Sequence, residues 1–141
     1  MYKKILVPID LGRPKNAARL CQAVRALADE DTEVRLFSVV PGYGMSVVAS
    51  FFPSDAQDKA KVQVKAGLKA LAQEQQLIGK LSYSVSEGRR ATGILNEATS
   101  WQPELITLAS RRKISRDGQR VLGSCSSSVA DRASCSVLIV R

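Results

Sequence analysis

Apolar and polar positions along this chain change period in a regular order. Lys3 to Ile9 is a short run rich in β-branched residues, ended by Asp10-Leu11-Gly12, which suits a strand buried on both faces. Pro14 fits the first turn of a helix. Ala17, Leu20, Cys21, Val24, Leu27 and Ala28 then fall at helical spacing and give that helix one buried face. Thr32 to Val40 reads as a second strand, broken by Pro41-Gly42. Ser54 and Gln57 form a Ser-x-x-Gln capping box, and Ala60, Val64, Leu68 and Leu71 continue it as a helix stripe that gives way at Gly79. Leu81, Tyr83 and Val85 alternate with Ser82, Ser84 and Ser86, the signature of a half-buried strand at a sheet edge. After the Glu87-Gly88 turn, Ile94, Leu95 and Ala98 mark a third helix, with Trp101 over its end and Pro103 stopping it.

The last segment is denser in signals. Leu105 to Leu108 is an apolar strand, followed by the turn Ala109-Ser110-Arg111-Arg112 and a basic stretch. Gly123-Ser124-Cys125-Ser126 then opens a short helix running to Arg132, and Val137 to Val140 closes as an apolar strand. Strand and helix thus alternate four times before a final strand, which predicts a single α/β domain: a mostly parallel sheet with helices on both faces and right-handed crossovers. Gly42 to Pro53 is open to three readings: a lid loop, an oligomer contact or a locally packed connection.

In an open parallel sheet, ligands bind at the carboxyl ends of the strands, where the strand order reverses. The residues predicted there are Pro8, Ile9 and Asp10 after the first strand, Val39 and Val40 ending the second, Ala109, Ser110, Arg111 and Arg112 after the fourth, and Gly123, Ser124, Cys125 and Ser126 at the last helix. They supply a carboxylate, apolar walls, cations and a helix N-terminus, whose unpaired N–H groups and partial positive charge attract anions. An adenine nucleotide has matching parts: a base for the apolar slot, a ribose for the acceptor, and phosphates for the N–H groups and cations.

Composition narrows the chemistry. The 141 residues are 45% apolar and 24% charged, proportions of an ordinary globular domain. The net charge of +8 favours anionic partners. Aromatic residues make up only 5%, and the basic residues are scattered over several helices, so a nucleic-acid surface with stacking platforms is not expected. The chain has no histidine, which removes Ser-His-Asp, Cys-His and imidazole chemistry together with His-ligated metals. Cys21, Cys125 and Cys135 have no C-x-x-C spacing, and no metal site is expected. Cys21 and Cys135 read as small packing residues. Cys125 lies near a helix N-terminus among cations, where a thiol pKa falls; packing and redox roles both stand for it. No apolar run approaches membrane-spanning length, and the short one after Met1 is no signal peptide, so a cytoplasmic protein is expected, with no membrane partner.

The chain resembles the universal stress protein family over nearly its whole length. The resemblance rests on Tyr2-Lys3-Lys4-Ile5-Leu6-Val7-Pro8-Ile9-Asp10, on Gly88, on Gly123-Ser124, and on Cys135-Ser136-Val137-Leu138-Ile139-Val140-Arg141. It implies one domain over residues 1–141, with a five-stranded parallel sheet in the order 3-2-1-4-5 (the adenine nucleotide alpha hydrolase-like arrangement). It also implies a homodimer. With the last strand at a sheet edge, Val137, Leu138, Ile139 and Val140 are an apolar row suited to pairing with a second copy. Nucleotide-binding members carry G-x-x-G, roughly nine residues and then G-[ST]. By motif position their contacts fall on Asp10, Val39, Ala109, Arg112, Gly123, Ser124 and Ser126. Here Ala109 and Arg112 replace the two glycines, and Lys113 to Leu122 is one residue longer than usual. The Arg112 guanidinium either binds phosphate bidentately or fills the pocket.

The resemblance therefore implies binding of ATP or a related adenine nucleotide, with or without magnesium, and a dimeric role in stress response and regulation. The alternative is a dimeric interaction module without nucleotide, its pocket filled by Arg112 and the basic loop. With no histidine and no Walker A lysine motif, no catalytic residue is assigned. Slow ATP hydrolysis or self-phosphorylation within Ser124 to Ser128 is the enzymatic variant.

Overall fold

Five residues of the first strand set the architecture. In a computed structural model of the chain, residues 1–42, 56–110, 113–114, 116–118 and 120–141 are described. β1 (Lys4–Pro8) lies at the centre of a five-stranded sheet, paired in parallel with β2 (Glu33–Val40) on one side and β4 (Leu105–Ala109) on the other. β3 (Lys80–Glu87) pairs with β2, and β7 (Ser136–Val140) pairs with β4, so both outer strands are edges. With β7 counted as the fifth strand of this sheet, the order is 3-2-1-4-5, and every pairing is parallel.

The helices are α1 (Pro14–Leu27), α2 (Ala56–Glu74), α3 (Arg90–Trp101) and α4 (Ser124–Arg132). Strand pleating divides the core between them. Ile5 and Val7 of β1, Val34 and Leu36 of β2 and Leu105 of β4 pack with Ala17, Leu20, Cys21 and Val24 of α1 and Leu68, Leu71 and Ala72 of α2. Leu6, Phe37, Ile106 and Leu108 face the opposite way, against Ile94 of α3 and Val129 of α4. Each crossover thus covers one sheet face, and the near-continuous apolar runs of β1 and β4 follow from burial on both. β3 is half-buried, with Leu81, Tyr83 and Val85 turned to the α1–α2 face, as its alternation predicts.

The structure adds an element that the pattern did not predict. Between β4 and α4, β5 (Lys113–Ile114) and β6 (Arg120–Val121) form a two-stranded antiparallel ribbon separate from the main sheet. Two-residue strands carry too little periodicity to stand out in a basic segment. Ser54 of the capping box, all but the first residue of the Gly42 to Pro53 segment, and Arg111 and Arg112 lie outside the described residues.

The amino edge of the sheet is tied by cations around one indole. Lys4 Nζ donates to the Trp101 carbonyl at 2.6 Å and sits 4.6 Å from the ring centroid. The Arg35 guanidinium covers the ring at 4.6 Å, pairs with Glu97 at 2.9 Å and donates to Ser82 Oγ at 3.0 Å. This network links β1, β2, β3 and α3 at the end of the sheet away from the strand carboxyl termini.

The turn into β3 depends on Gly79, whose φ is +109° and whose missing side chain leaves room for the Thr32 carbonyl, the acceptor of Lys80 N–H at 2.8 Å. Gly79→Ala meets both left-handed strain and a backbone collision, so a loss of about 1–3 kcal/mol is expected in denaturant unfolding. Burial pushes the Cys21 thiol up to about 11. In the native protein at pH 8, Cys21 is therefore expected to resist alkylation and to react only on unfolding, read residue by residue by peptide mass spectrometry.

Candidate functional site

Parallel strands with helical crossovers bring the carboxyl ends of all five sheet strands to one edge. β2 and β3 lie to one side of β1 and β4 and β7 to the other, so the chain's connections diverge at the β1–β4 boundary. A cleft opens there, lined by Pro8, Asp10, Arg13, Asn16, Ala17, Leu20, Arg90, Leu108, Ala109, Gly123, Ser124, Cys125 and Ser126. It is the crevice that sheet topology creates at a point of strand-order reversal.

Asp10 is fixed by backbone and side chain together. Its carbonyl accepts the Arg13 N–H at 3.0 Å, and Oδ1 accepts the Gly12 N–H at 2.9 Å, closing a tight Asx-type turn after β1. The other carboxylate oxygen, Oδ2, faces two guanidinium groups, with Arg13 Nε at 3.7 Å and Arg90 Nη1 at 3.5 Å. Arg13 is the residue before α1 and Arg90 the first residue of α3. One carboxylate thus joins the beginnings of two helices on opposite faces of the sheet.

The third helix at the cleft is α4. Gly123 is its N-cap, with φ −62° and ψ 162°, and no side chain caps it. Ser127 N–H returns to the Gly123 carbonyl at 2.9 Å, the first helical bond. N–H groups ahead of that bond have no carbonyl one turn back, which is what makes a helix start an anion site. Gly123 and Ser126 are buried, whereas Ser124 is exposed at the rim. The starts of α1 and α3 also lack a side-chain cap, so three positive helix ends point at this edge together with two arginines. The cleft is small, with about 60 Å³ open to water-sized groups, space for several waters or one phosphate-sized anion. A larger ligand would extend from it along the open sheet edge.

Of the residues predicted from sequence, Pro8, Asp10, Ala109, Gly123, Ser124, Cys125 and Ser126 line this one cleft. Ile9 does not; it is buried in the core, its N–H bonded to the Phe37 carbonyl at 2.7 Å and its carbonyl accepting from Ser38 Oγ. Val39 packs against the second core cluster beside Gly93, where a Cβ on Gly93 would come within 2.7 Å of Val39 Cγ2. Ser110 donates its N–H to the Val140 carbonyl at 2.8 Å and so extends the β4–β7 pairing. Arg111 and Arg112 lie outside the described residues, and the structure assigns them no place. Sequence reasoning missed Arg13, Asn16 and Arg90. Arg13 was nameable from Pro14, which makes it the residue entering α1; Arg90 comes to Asp10 only through the sheet order. Among the described residues, no cluster of three His, Cys, Asp or Glu side chains could hold a metal ion, and no helix is long and apolar enough to cross a membrane.

Comparison with known proteins places this geometry. The model of the universal stress protein family matches residues 1–141. Universal stress protein Sll1388 of Synechocystis is 28% identical, with 99% of this chain and 98% of that protein covered. The solved structure of hypothetical protein MJ0577 superposes with a TM-score of 0.77 at 24% identity, covering 99% of this chain and 96% of that one. The universal stress protein of Archaeoglobus fulgidus in complex with dAMP superposes with a TM-score of 0.59 at 17% identity, covering 99% and 98%. The match over every residue, together with the 3-2-1-4-5 sheet, establishes that the chain belongs to the universal stress protein family.

Proposed function

We propose that this chain binds ATP or a related adenine nucleotide at the carboxyl edge of its sheet and acts as a dimer in a stress-linked regulatory role. One observation carries the reading: Asp10, Ala109 and the uncapped start of α4 at Gly123–Ser126 share a single cleft at the strand-order reversal. The cleft volume of about 60 Å³ suits a phosphate, with ribose and base lying outward along the sheet edge. Structural relatives in complex with dAMP, cAMP and AMP support the choice of adenine nucleotides. A magnesium ion arriving with ATP would be carried by the phosphate oxygens and water.

Dimerisation is proposed along β7. This strand is a sheet edge, its Leu138 is an exposed large apolar residue, and Val137, Ile139 and Val140 are only half-buried. Pairing with a second copy would bury all four and satisfy the open edge. The second reading, a dimeric interaction module without nucleotide whose pocket is filled by Arg112 and the basic loop, draws on the same small volume; Arg112 itself lies outside the described residues.

Calorimetry separates the two. Binding of ATP, ADP, AMP or cyclic AMP in the micromolar range is expected, and no heat with any of them overturns the nucleotide reading. Ser124→Glu places a carboxylate at an exposed helix start, which favours helix stability yet repels phosphate, so ATP affinity should fall about tenfold with no loss in thermal stability. For the dimer, Leu138→Lys is expected to shift the mass measured by light scattering from two chains to one. An unchanged dimer would move the interface elsewhere.

A further inference from the structure

Two arginines stand where local electrostatics oppose them. Arg13 immediately precedes α1, and Arg90 is the first residue of α3. Both positions feel the positive end of a helix, where an acidic residue is the stabilising choice and a cation is not. Neither helix has an acidic residue in its first turn. A cost accepted twice, at two helices on opposite sheet faces, with both side chains lining one cleft, points to a role at that cleft.

Among the described residues, both guanidinium groups are compensated by Asp10 Oδ2, at 3.7 and 3.5 Å. These are ion-pair distances, longer than the 2.7–2.9 Å or so of a charge-assisted hydrogen bond. The side chains are also partly exposed, Arg13 at 51%, Arg90 at 34% and Asp10 at 33%. Ion pairs of this kind change an equilibrium by less than about fivefold. A phosphate oxygen that accepts directly from a guanidinium is worth more than about tenfold. An anion of sufficient charge therefore wins the arginines from Asp10.

We propose that Arg13 and Arg90 form a phosphate subsite selecting longer phosphate chains, and that Asp10 is its electrostatic brake. In the unliganded state Asp10 holds both guanidinium groups at the cleft mouth and cancels part of their charge. A triphosphate, reaching from the α4 start to both arginines, takes its place, whereas a monophosphate satisfies α4 alone. The inference rests on the nucleotide reading for its physiological ligand, and the phosphate chain of that nucleotide is the group meant.

The test titrates ATP, ADP, AMP, adenosine and inorganic tripolyphosphate into the wild type and into Asp10→Asn, Arg13→Gln, Arg90→Gln and Arg90→Lys. The expected order is ATP above ADP above AMP. Arg13→Gln and Arg90→Gln should each weaken ATP and tripolyphosphate about tenfold and AMP less, with Arg90→Lys recovering part of the loss. Asp10→Asn keeps the Gly12 hydrogen bond, because an amide oxygen still accepts it, and should tighten tripolyphosphate about threefold. Tripolyphosphate weakened by Asp10→Asn, or ATP affinity untouched by both glutamine variants, overturns the brake and leaves the nucleotide reading standing. Tripolyphosphate following this pattern while ATP binds no tighter than tripolyphosphate supports the brake and defeats the nucleotide reading instead.

Discussion

The burial of β1 on both faces is the constraint on which the rest of the structure depends. Ile5, Leu6 and Val7 have no exposed surface. Their backbone is spent on parallel pairing with β2 and β4, and their side chains alternate between two clusters. A strand in that position cannot be closed by a hairpin. Each neighbour must arrive by a crossover, each crossover must cover a face, and all strand carboxyl ends must then meet at one edge. The cleft is a consequence of this geometry before any residue in it is chosen.

What the chain adds at that edge is positive charge on rigid supports. Three helix starts without side-chain caps surround the cleft, and Arg13 and Arg90 are attached to two of them. Asp10, held by the turn it closes, is the counter-charge. At the opposite end, Lys4 and Arg35 enclose Trp101 and tie β1, β2 and α3 together, so the cleft residues project from a frame braced at its far edge. The small volume of the cleft follows from close packing: Ala17 and Leu20 of α1 and Leu108 of β4 supply apolar lining, and the polar groups beside them decide what binds.

Much of this was legible in the residue pattern. The doubly buried β1 and β4, the alternating edge strand β3 and the small-residue opening of α4 each have a local signature, and each is found where that signature lies. The cleft assignment of Asp10, Ala109 and Gly123–Ser126 was legible because parallel topology sends loops to one edge whatever their sequence. Other features leave no local trace. Arg90 reaches Asp10 across 80 positions of sequence and only because β3 is two strands from β1. Ile9, just past β1, is buried in the core, and the Val39 side chain packs partly buried against the second cluster, which leaves its backbone at the strand end. The β5–β6 ribbon is too short for a period to show.

The most direct test of the account is an amide-resolved NMR titration of the isotopically labelled protein with ATP. Saturable shifts concentrated at Asp10–Arg13, Ala109, Arg90 and Gly123–Ser126 are the predicted result. Saturable shifts clustered instead along β7 or α2, or no shifts at millimolar ATP, would contradict it.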